Sequence, residues 1–370
     1  MSKISSNDYT KQFFKSNKDH HYNLEKSADE YIVSSGSMIL DSYLGGGFGS
    51  GVHRFTGANE GGKTNEALAV MLNMLKTVDK SKGLYIKAEG RLSKDVQKRS
   101  GLKFVYDPEQ WVAGTCLIFE CNIFDVIFDY LRGLLRNNPE SEKFCIVIDS
   151  MDGLLPKAEV DKSTGEAAKV AGGALMTSDF LKRVSLGMSK FGHMCIMISQ
   201  IRANINVNPY AKGDPNNQTN SSGGNAALHY PDWILEFQKQ NKSDKILEKP
   251  NQQITPDNKV YGHMAKVLIC KSVNETTGQT VKYPIKHGRT DGKSIWIERE
   301  IVEMLLMWGY LEKSGAWFSV DKDVKEFLAS KDIEIKDKFQ GMASIYEYLE
   351  QDEATTEALK HFIKTNVLEK

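Results

Sequence analysis

The run GANEGGKT at residues 57–64 constrains the fold of this chain more than any other feature of its sequence. It matches the pattern G-x-x-x-x-G-K-[ST] at every fixed position. An apolar run, VHRFT, precedes it, and a helical run, NEALAVMLNMLK, follows it. This order of strand, loop and helix lets backbone N–H groups and the positive end of the helix dipole face a phosphate. The sequence therefore predicts a phosphate-binding loop, and a chance glycine-rich turn is the weaker interpretation.

Each position of the loop has a chemical reason. Glycines allow the tight curl, Lys63 can reach the β- and γ-phosphates of ATP, and Thr64 can offer its hydroxyl to Mg²⁺. We expect ATP and Mg²⁺ as the cofactors, and Lys63 is in addition a candidate catalytic residue. The predicted nucleotide-binding residues of the loop are Gly57, Asn59, Glu60, Gly61, Gly62, Lys63 and Thr64.

The rest of the chain alternates short β-rich runs with helical runs. Uninterrupted apolar strands such as CIVI indicate burial on both faces, and their alternation with helices indicates a mostly parallel sheet. The fold class is therefore α/β, with a doubly wound sheet whose ligands bind at the carboxyl ends of the strands. The predicted strands are His53–Thr56, Leu84–Ala88, Cys116–Glu120, Phe144–Asp149, Met194–Ser199, Trp233–Phe237 and Ala265–Cys270. The predicted helices include Thr64–Thr77, Ile123–Leu135 and Thr177–Lys190.

Three polar residues stand at the carboxyl ends of predicted strands. Asp149 closes the buried strand FCIVID and is predicted to bind nucleotide and Mg²⁺ together with Thr64. Glu89 follows the strand that ends at Ala88 and can activate the attacking water, although an exposed turn glutamate is an alternative. Gln200 follows the strand CIMIS. Its amide can report the presence of the γ-phosphate, and an ordinary strand-end side chain is the alternative.

Two segments at this edge of the sheet are candidates for contacting DNA. Glu159–Gly173 follows the Asp149 strand, and residues 201–226 form an Asn- and Gly-rich stretch directly after Gln200. A structureless stretch of that length in a compact domain is usually functional or disordered. The net charge is zero, so the DNA site must be local, and solvated lysines and an insertion without a role are the alternatives. The predicted DNA-binding residues are Lys162, Lys169, Lys182, Arg202, Asn204, Lys212, Gly223, Gly224 and Asn225.

Composition argues against a membrane or exported protein. No apolar run approaches the ~20 residues that a membrane helix needs. The N-terminus, MSKISSNDYTKQ, has no apolar signal region. Three of the five cysteines, Cys145, Cys195 and Cys270, lie in apolar strand-like runs, which favours core packing in a reducing compartment. The expectation is a cytoplasmic protein, in the host cytoplasm if the protein is viral.

With these residues in place, the chain resembles the RecA family, including the phage UvsX-type recombinases. The resemblance runs from about Ile32 to Val320. It rests on the opening IVSSGSMILDSYLGGGFGSGVHRFTGANEGGKT, then LYIKAEGRLS, IVIDSMDGLLPKAEVD, ISQIRANI, GGNAALHY and LEKSGAWFSV. Single motifs are shared with other ATPases, whereas the series in this order is specific.

The resemblance implies a RecA-type P-loop ATPase core that forms helical filaments on single-stranded DNA. It implies homologous pairing and strand exchange with double-stranded DNA, with Glu89 as the catalytic glutamate and Lys271 reaching the neighbouring subunit's γ-phosphate. A single-strand-binding protein and a loader are further implied partners. The domains would be an N-terminal oligomerisation arm (residues 1–33), the ATPase core (34–318) and a small C-terminal helical segment (319–370).

The sequence departs from the family's pattern in three places. Val96 stands where the family often has a tyrosine that stacks on adenine. Val273 stands where a second interface lysine usually lies, and Asn208-Pro209 where the second DNA loop often has a phenylalanine. These departures indicate a divergent member, and a viral origin is a hypothesis.

Two other functions stay open at the level of sequence. A hexameric helicase uses the same kind of phosphate-binding loop and the same kind of buried strand that ends in an aspartate. It usually carries an N-terminal collar domain, for which residues 1–33 are too short. A nucleotide-gated filament protein that hardly hydrolyses ATP is disfavoured by Glu89, Asp149 and Lys271, and is kept open by Val273.

Overall fold

A computed structural model describes residues 4–18, 27–90, 92–160, 172–203, 219–221, 226–249, 255 and 258–368. The strands are β1 (Gly51–Gly57), β2 (Ser81–Lys87), β3 (Lys103–Val105), β4 (Thr115–Glu120), β5 (Lys143–Asp149), β6 (Met194–Ala203), β7 (Thr219–Ser221), β8 (Trp233–Phe237), β9 (Lys245–Leu247), β10 (Val260–Lys271), β11 (Thr280–Lys286), β12 (Leu311–Ser314), β13 (Trp317–Val320) and β14 (Lys338–Gln340). The helices are α1 (Ser6–Ser16), α2 (Met38–Leu44), α3 (Lys63–Thr77), α4 (Lys94–Ser100), α5 (Phe124–Arg136), α6 (Lys157–Val160), α7 (Gly172–Lys190), α8 (Ala226–His229), α9 (Ile297–Met307), α10 (Lys322–Ala329), α11 (Met342–Gln351) and α12 (Glu353–Ile363).

One large sheet organises the described part of the chain. Its strand order is β11-β10-β8-β1-β6-β5-β2-β4-β3, with β7 paired to β6 and β9 paired to β10. The strands from β8 to β3 in this order run parallel, and β10 and β11 are antiparallel additions at one edge. The predicted α/β class with a mostly parallel sheet is therefore confirmed.

Strand β1 lies in the interior of this sheet, and every one of its residues is buried. Its parallel neighbours are β6 and β8, and in this register Gly57 lies opposite both Gln200 and Phe237. Parallel strands that are covered on both faces need continuous apolar sequence, which explains why β5 and β6 are readable from the sequence alone. The carboxyl ends of β1, β5 and β6 consequently meet at one edge.

Helices cover both faces of the sheet. On one face, α3 buries Leu68, Met71 and Met74 against the sheet. On the other face, α7 contributes Phe180 and Leu181 to a second apolar cluster. Complete burial of a side chain of this kind stabilises the fold by about 1.5–3 kcal/mol. Both helices are therefore fixed by packing, and α3 holds the loop that precedes it.

The three cysteines that lie in apolar strand-like runs differ in burial. Cys145 and Cys195 are buried in the sheet, as the sequence predicts. Cys270 is exposed, contrary to the expectation of core packing. Burial alternates along this part of β10, so that Ile269 points into the core and the next residue faces outward.

A smaller unit follows the large sheet. The antiparallel strands β12, β13 and β14 pack with α9–α12 around an apolar cluster that includes Ile301, Leu328 and Phe362. Its helix α9 is tied to the core where Ser37 Oγ donates to Glu300 Oε1 at 2.5 Å. Among the described residues, no helix combines the length and apolar character that crossing a membrane requires.

Candidate nucleotide-binding site

The loop at residues 57–64 begins where β1 ends against β8. Gly57 has a φ of +137°, and a Cβ atom there would lie 2.1 Å from the carbonyl oxygen of Phe237. Only glycine fits this approach. Glu60 and Gly62 also have positive φ values, of 60° and 102°, so the backbone curls before α3 begins at Lys63. The first N–H groups of a helix have no acceptor within it, which suits this end of α3 to an anion.

Lys63 is held inside the loop. Its Nζ donates to the carbonyl oxygens of Gly57 and Ala58, at 3.0 and 2.6 Å. Burial lowers the pKa of Lys63, and the nearby carboxylates of Asp149 and Glu89 act against that effect. The ammonium group is thus bound by the backbone of the loop itself.

Thr64 and Asp149 meet although they are far apart in sequence. The Thr64 hydroxyl donates to Asp149 Oδ2 at 2.7 Å, and the Tyr85 hydroxyl donates to the same oxygen at 2.7 Å. Burial first, and then the charge of Asp149, raise the pKa of Tyr85. A hydroxyl and a carboxylate are the hard oxygen ligands that Mg²⁺ prefers. The residues present therefore fit the metal that the sequence predicts, and their role as ligands stays a prediction.

Glu89 and Gln200 are also in contact. Gln200 Nε2 donates to Glu89 Oε1 at 3.0 Å, so the predicted water activator and the predicted γ-phosphate sensor touch across the sheet edge. The backbone N–H of Gln200 donates to Asp152 Oδ2 at 2.6 Å. Sequence reasoning did not identify Asp152, although it lies in the same motif, IVIDSMDG, three residues after Asp149.

Lys271 lies away from the loop at residues 57–64 of its own chain. Its Nζ donates to the carbonyl oxygens of His229 and Pro231, at 2.5 and 2.6 Å. In the sheet it is opposite Ile234, near the amino end of β8, whereas Gly57 is opposite the last residue of β8. Within one chain, the structure does not bring Lys271 to the loop.

Only part of the predicted DNA-binding set can be placed. Lys182 is exposed on α7, and Arg202 belongs to β6. The second segment, residues 201–226, is not structureless throughout, because its first three residues belong to β6 and pair antiparallel with β7, with Ile201 opposite Ser221. Lying outside the described residues are Lys162, Lys169, Asn204, Lys212, Gly223, Gly224 and Asn225, as well as Asn208-Pro209.

Two of the three departures fall on residues that the structure describes. Val96, on α4, is partly buried and packs against the main apolar cluster. Val273, two residues after the end of β10, is 67% exposed. The role of this position at an interface between subunits stays a prediction.

Comparison with known proteins gives a consistent result. Residues 134–279 match the family profile described as the RecA N-terminal domain. The chain is 27% identical over 361 residues to Protein RecA of Bordetella avium, an alignment that covers 96% of this chain and 88% of that protein. It is 28% identical over 301 residues to Protein RecA of Nitrobacter winogradskyi, covering 80% and 73%. It is 28% identical over 309 residues to Protein RecA of Mesoplasma florum, covering 82% and 80%.

Proposed function

This chain is a divergent member of the RecA family, and from that premise we propose that it is a DNA-dependent ATPase acting in recombination and repair. In this proposal it forms helical filaments on single-stranded DNA and promotes homologous pairing and strand exchange. The observation that carries the proposal is the meeting of Lys63, Thr64 and Asp149 at the carboxyl edge of the sheet, beside the Glu89–Gln200 contact.

The loop would bind the phosphates of ATP. Lys63 would exchange its bonds with the loop carbonyls for bonds to the β- and γ-phosphates, where its positive charge stabilises the developing negative charge. Mg²⁺, when bound, would neutralise phosphate charge and would be held by Thr64 and Asp149. The remaining loop residues proposed to bind nucleotide are Gly57, Asn59, Glu60, Gly61 and Gly62.

The Glu89–Gln200 contact would link hydrolysis to DNA binding. Glu89 would orient and deprotonate the attacking water. Gln200 would break its hydrogen bond to Glu89 and contact the γ-phosphate instead. This movement of Gln200 would alter the conformation of residues 204–225, which begin four positions later. Those residues, together with Lys162, Lys169 and Lys182, are proposed to contact DNA phosphates.

Self-association is part of the same proposal. Because Lys271 lies away from its own loop, a role in phosphate chemistry requires the nucleotide of another subunit. On α1, Tyr9 and Phe13 are 62% and 49% exposed, and an apolar pair on an exposed helix is suited to docking on a neighbouring copy. A single-strand-binding protein and a loader are proposed as further partners, in the cytoplasm.

The decisive experiment measures ATP hydrolysis with and without single-stranded DNA. We expect DNA to stimulate hydrolysis strongly, and we expect Lys63→Ala to abolish the activity. Glu89→Gln is the matched control, because it should retain ATP binding while it loses turnover. Hydrolysis without stimulation by DNA would contradict the proposal and would favour another motor of the same fold.

Particle shape separates the proposal from a hexameric helicase. Electron microscopy of the protein with ATP, Mg²⁺ and single-stranded DNA should show open helical filaments. Closed rings would contradict the recombinase function. DNA-stimulated turnover that vanishes in Glu89→Gln would also exclude a filament protein that binds ATP without hydrolysing it.

A further inference from the structure

A cluster of opposite charges joins the large sheet to the smaller unit formed by β12–β14 and α9–α12, here termed the C-terminal unit. The cations lie at the end of β11 and in the loop that connects β11 to α9, residues 287–296, which is termed the β11–α9 loop. The carboxylates lie on helices of the C-terminal unit. Among the described residues, four ion pairs cross this boundary, and in each the cation belongs to the side of the sheet. The two sides are therefore electrostatically complementary.

Glu350, in the last turn of α11, lies at the centre of this cluster. Its Oε1 accepts from Arg289 Nη2 at 2.9 Å, from Trp296 Nε1 at 3.0 Å and from Lys286 Nζ. The Lys286 ammonium also lies 4.7 Å from the centre of the Trp296 ring. The helix dipole disfavours a carboxylate in the last turn of a helix. The three donors consequently hold Glu350 at a position that its own helix does not favour.

The ion pairs of this cluster differ in how far solvent reaches them. Arg289 Nη1 donates to Glu298 Oε2 at 2.8 Å, so one guanidinium bridges Glu298 and Glu350. These three side chains are only 13–24% exposed. The pair between Lys293 and Glu353, at 3.0 Å, is 66% and 77% exposed. Solvent screens an exposed pair far more than a sheltered network, so the attraction is concentrated at Glu350 and Arg289.

The other side of the β11–α9 loop contacts α4. The backbone N–H of Asp291 donates to the carbonyl oxygen of Lys98 at 3.1 Å. The backbone N–H of Gly292 donates to that of Arg99 at 2.8 Å. Gly101, which ends α4, lies so close to the loop that a Cβ atom there would be 2.6 Å from the carbonyl carbon of Asp291. The last carbonyl groups of a helix have no partner within it, so the loop supplies donors that α4 itself lacks.

We propose that Glu350 closes an ionic latch that holds α11 on the β11–α9 loop and, through this loop, stabilises the end of α4. Raised ionic strength screens the pairs and opens the latch. The C-terminal unit stays attached, because α9 is tied to the core through Glu300 and through apolar packing on Met38. The latch therefore decides whether α4, the loop and α11 move as one body. It is independent of the proposed ATPase activity, since it concerns the joint between two parts of one chain.

Hydrogen–deuterium exchange of the full-length chain, measured by mass spectrometry, tests the latch. Wild-type protein is compared at about 0.1 M and about 1 M NaCl, where the Debye length is about 10 Å and about 3 Å. Glu350→Gln removes the central charge at nearly constant size, and Arg289→Gln breaks the same network from the other side. Glu353→Gln is the matched control, because it removes the same kind of charge from the exposed pair of the same boundary.

The expected result is faster exchange in three segments that are distant in sequence. At about 0.1 M NaCl, Glu350→Gln and Arg289→Gln should each exchange at least about tenfold faster than wild type in α11, in the β11–α9 loop and in the last turn of α4. Glu353→Gln should stay within about twofold of wild type. At about 1 M NaCl, wild type should approach the rates of Glu350→Gln. Strands β1 and β5 should keep their protection in every sample, because they lie in the interior of the sheet.

Several outcomes would overturn the latch. Wild-type exchange that is equal at both salt concentrations excludes an ionic device, and so does a Glu350→Gln variant that exchanges no faster than Glu353→Gln. Acceleration confined to α11, with α4 unchanged, refutes the link through the loop. If Glu350→Gln does not fold, Arg289→Gln and the wild-type salt comparison decide the question.

Discussion

At the scale of single residues, the contact between Gln200 and Glu89 joins the proposed nucleotide site to the strand end that precedes the segment proposed to bind DNA. We predict that Gln200→Ala still binds ATP but loses the ATP-dependent increase in DNA affinity, because the side chain that would respond to the γ-phosphate is gone. Fluorescence anisotropy with labelled single-stranded DNA, with and without ATP, measures this difference. Full ATP-dependent DNA binding by the mutant would show that the sensor assignment is wrong.

Asp149 is the second residue whose surroundings make a sharp prediction. Tyr85 donates to the oxygen that also accepts from Thr64, and one such hydrogen bond contributes about 1 kcal/mol, or roughly fivefold in an equilibrium. Tyr85→Phe should therefore raise the Mg²⁺ concentration for half-maximal hydrolysis by about fivefold. Asp149→Asn should raise it at least about a hundredfold, because a formal charge is lost beside the cation. Magnesium titrations of ATPase activity test both. Equal effects in the two variants would argue that Asp149 is not a ligand.

At the scale of elements, α2, α3 and α9 each carry a buried carboxyl group. They are Asp41, Glu66 and Glu300, and Glu66 Oε2 accepts from the Tyr283 hydroxyl at 2.8 Å. Burial raises the pKa to about 6 for Asp41 and to about 8 for each glutamate, and the charge of Asp41 raises both glutamate values further. Lys364 acts in the opposite direction on Asp41. At neutral pH the two glutamates are therefore mostly protonated and neutral, whereas Asp41 is mostly ionised.

The raised pKa values of Glu66 and Glu300 predict that the free energy of unfolding falls as the pH rises. The pKa of Glu66 and of Glu300 rises from an ordinary value of 4.5, taken for the unfolded chain, to about 8 in the folded chain. Between these two pH values the folded chain therefore binds more protons than the unfolded chain. Their contribution is complete below pH 4.5 and is lost as the pH rises through 8. From pH 6 to 9 the melting temperature should fall by about 5 °C or more. Glu66→Gln with Glu300→Gln should flatten this slope in thermal unfolding scans, and an unchanged slope would contradict the assignment.

At the scale of the whole molecule, the position of Lys271 predicts a division of labour between subunits. Lys271→Ala and Glu89→Gln should each be inactive alone. Lys271→Ala lacks the ammonium group that would act on the nucleotide of the neighbouring subunit, and Glu89→Gln lacks the base that would act on the nucleotide of its own subunit. Mixed in equal amounts, they should regain roughly a quarter of wild-type hydrolysis, since a head-to-tail interface pairs complementary sites at random. Coupled ATPase assays on the mixture measure this recovery. No recovery would argue against action between subunits.

The sequence by itself predicted strand β1, the tight turn at residues 57–64 and the helix that follows. These depend on neighbours in the chain: glycine at positive φ, a lysine and a threonine at fixed spacing, and an apolar period of 3.6 residues in α3. It also determined the α/β class, because uninterrupted apolar strands alternating with helices can be buried only in a covered parallel sheet. Seven described strands were not predicted: β3, β7, β9, β11, β12, β13 and β14. All of them except β11 have only three or four residues, which carry too little periodicity to read.

Only the tertiary structure decided which distant residues meet. The strand order places β6 between β1 and β5, and no local pattern encodes that order. Because of it, Gln200 reaches Glu89, and Arg54 reaches Ser199 and Ala227. The antiparallel addition of β10 likewise carries Lys271 away from its own loop. Local spacing fixes what a segment forms, whereas the packing of apolar faces across the whole sheet fixes which side chains lie within bonding distance.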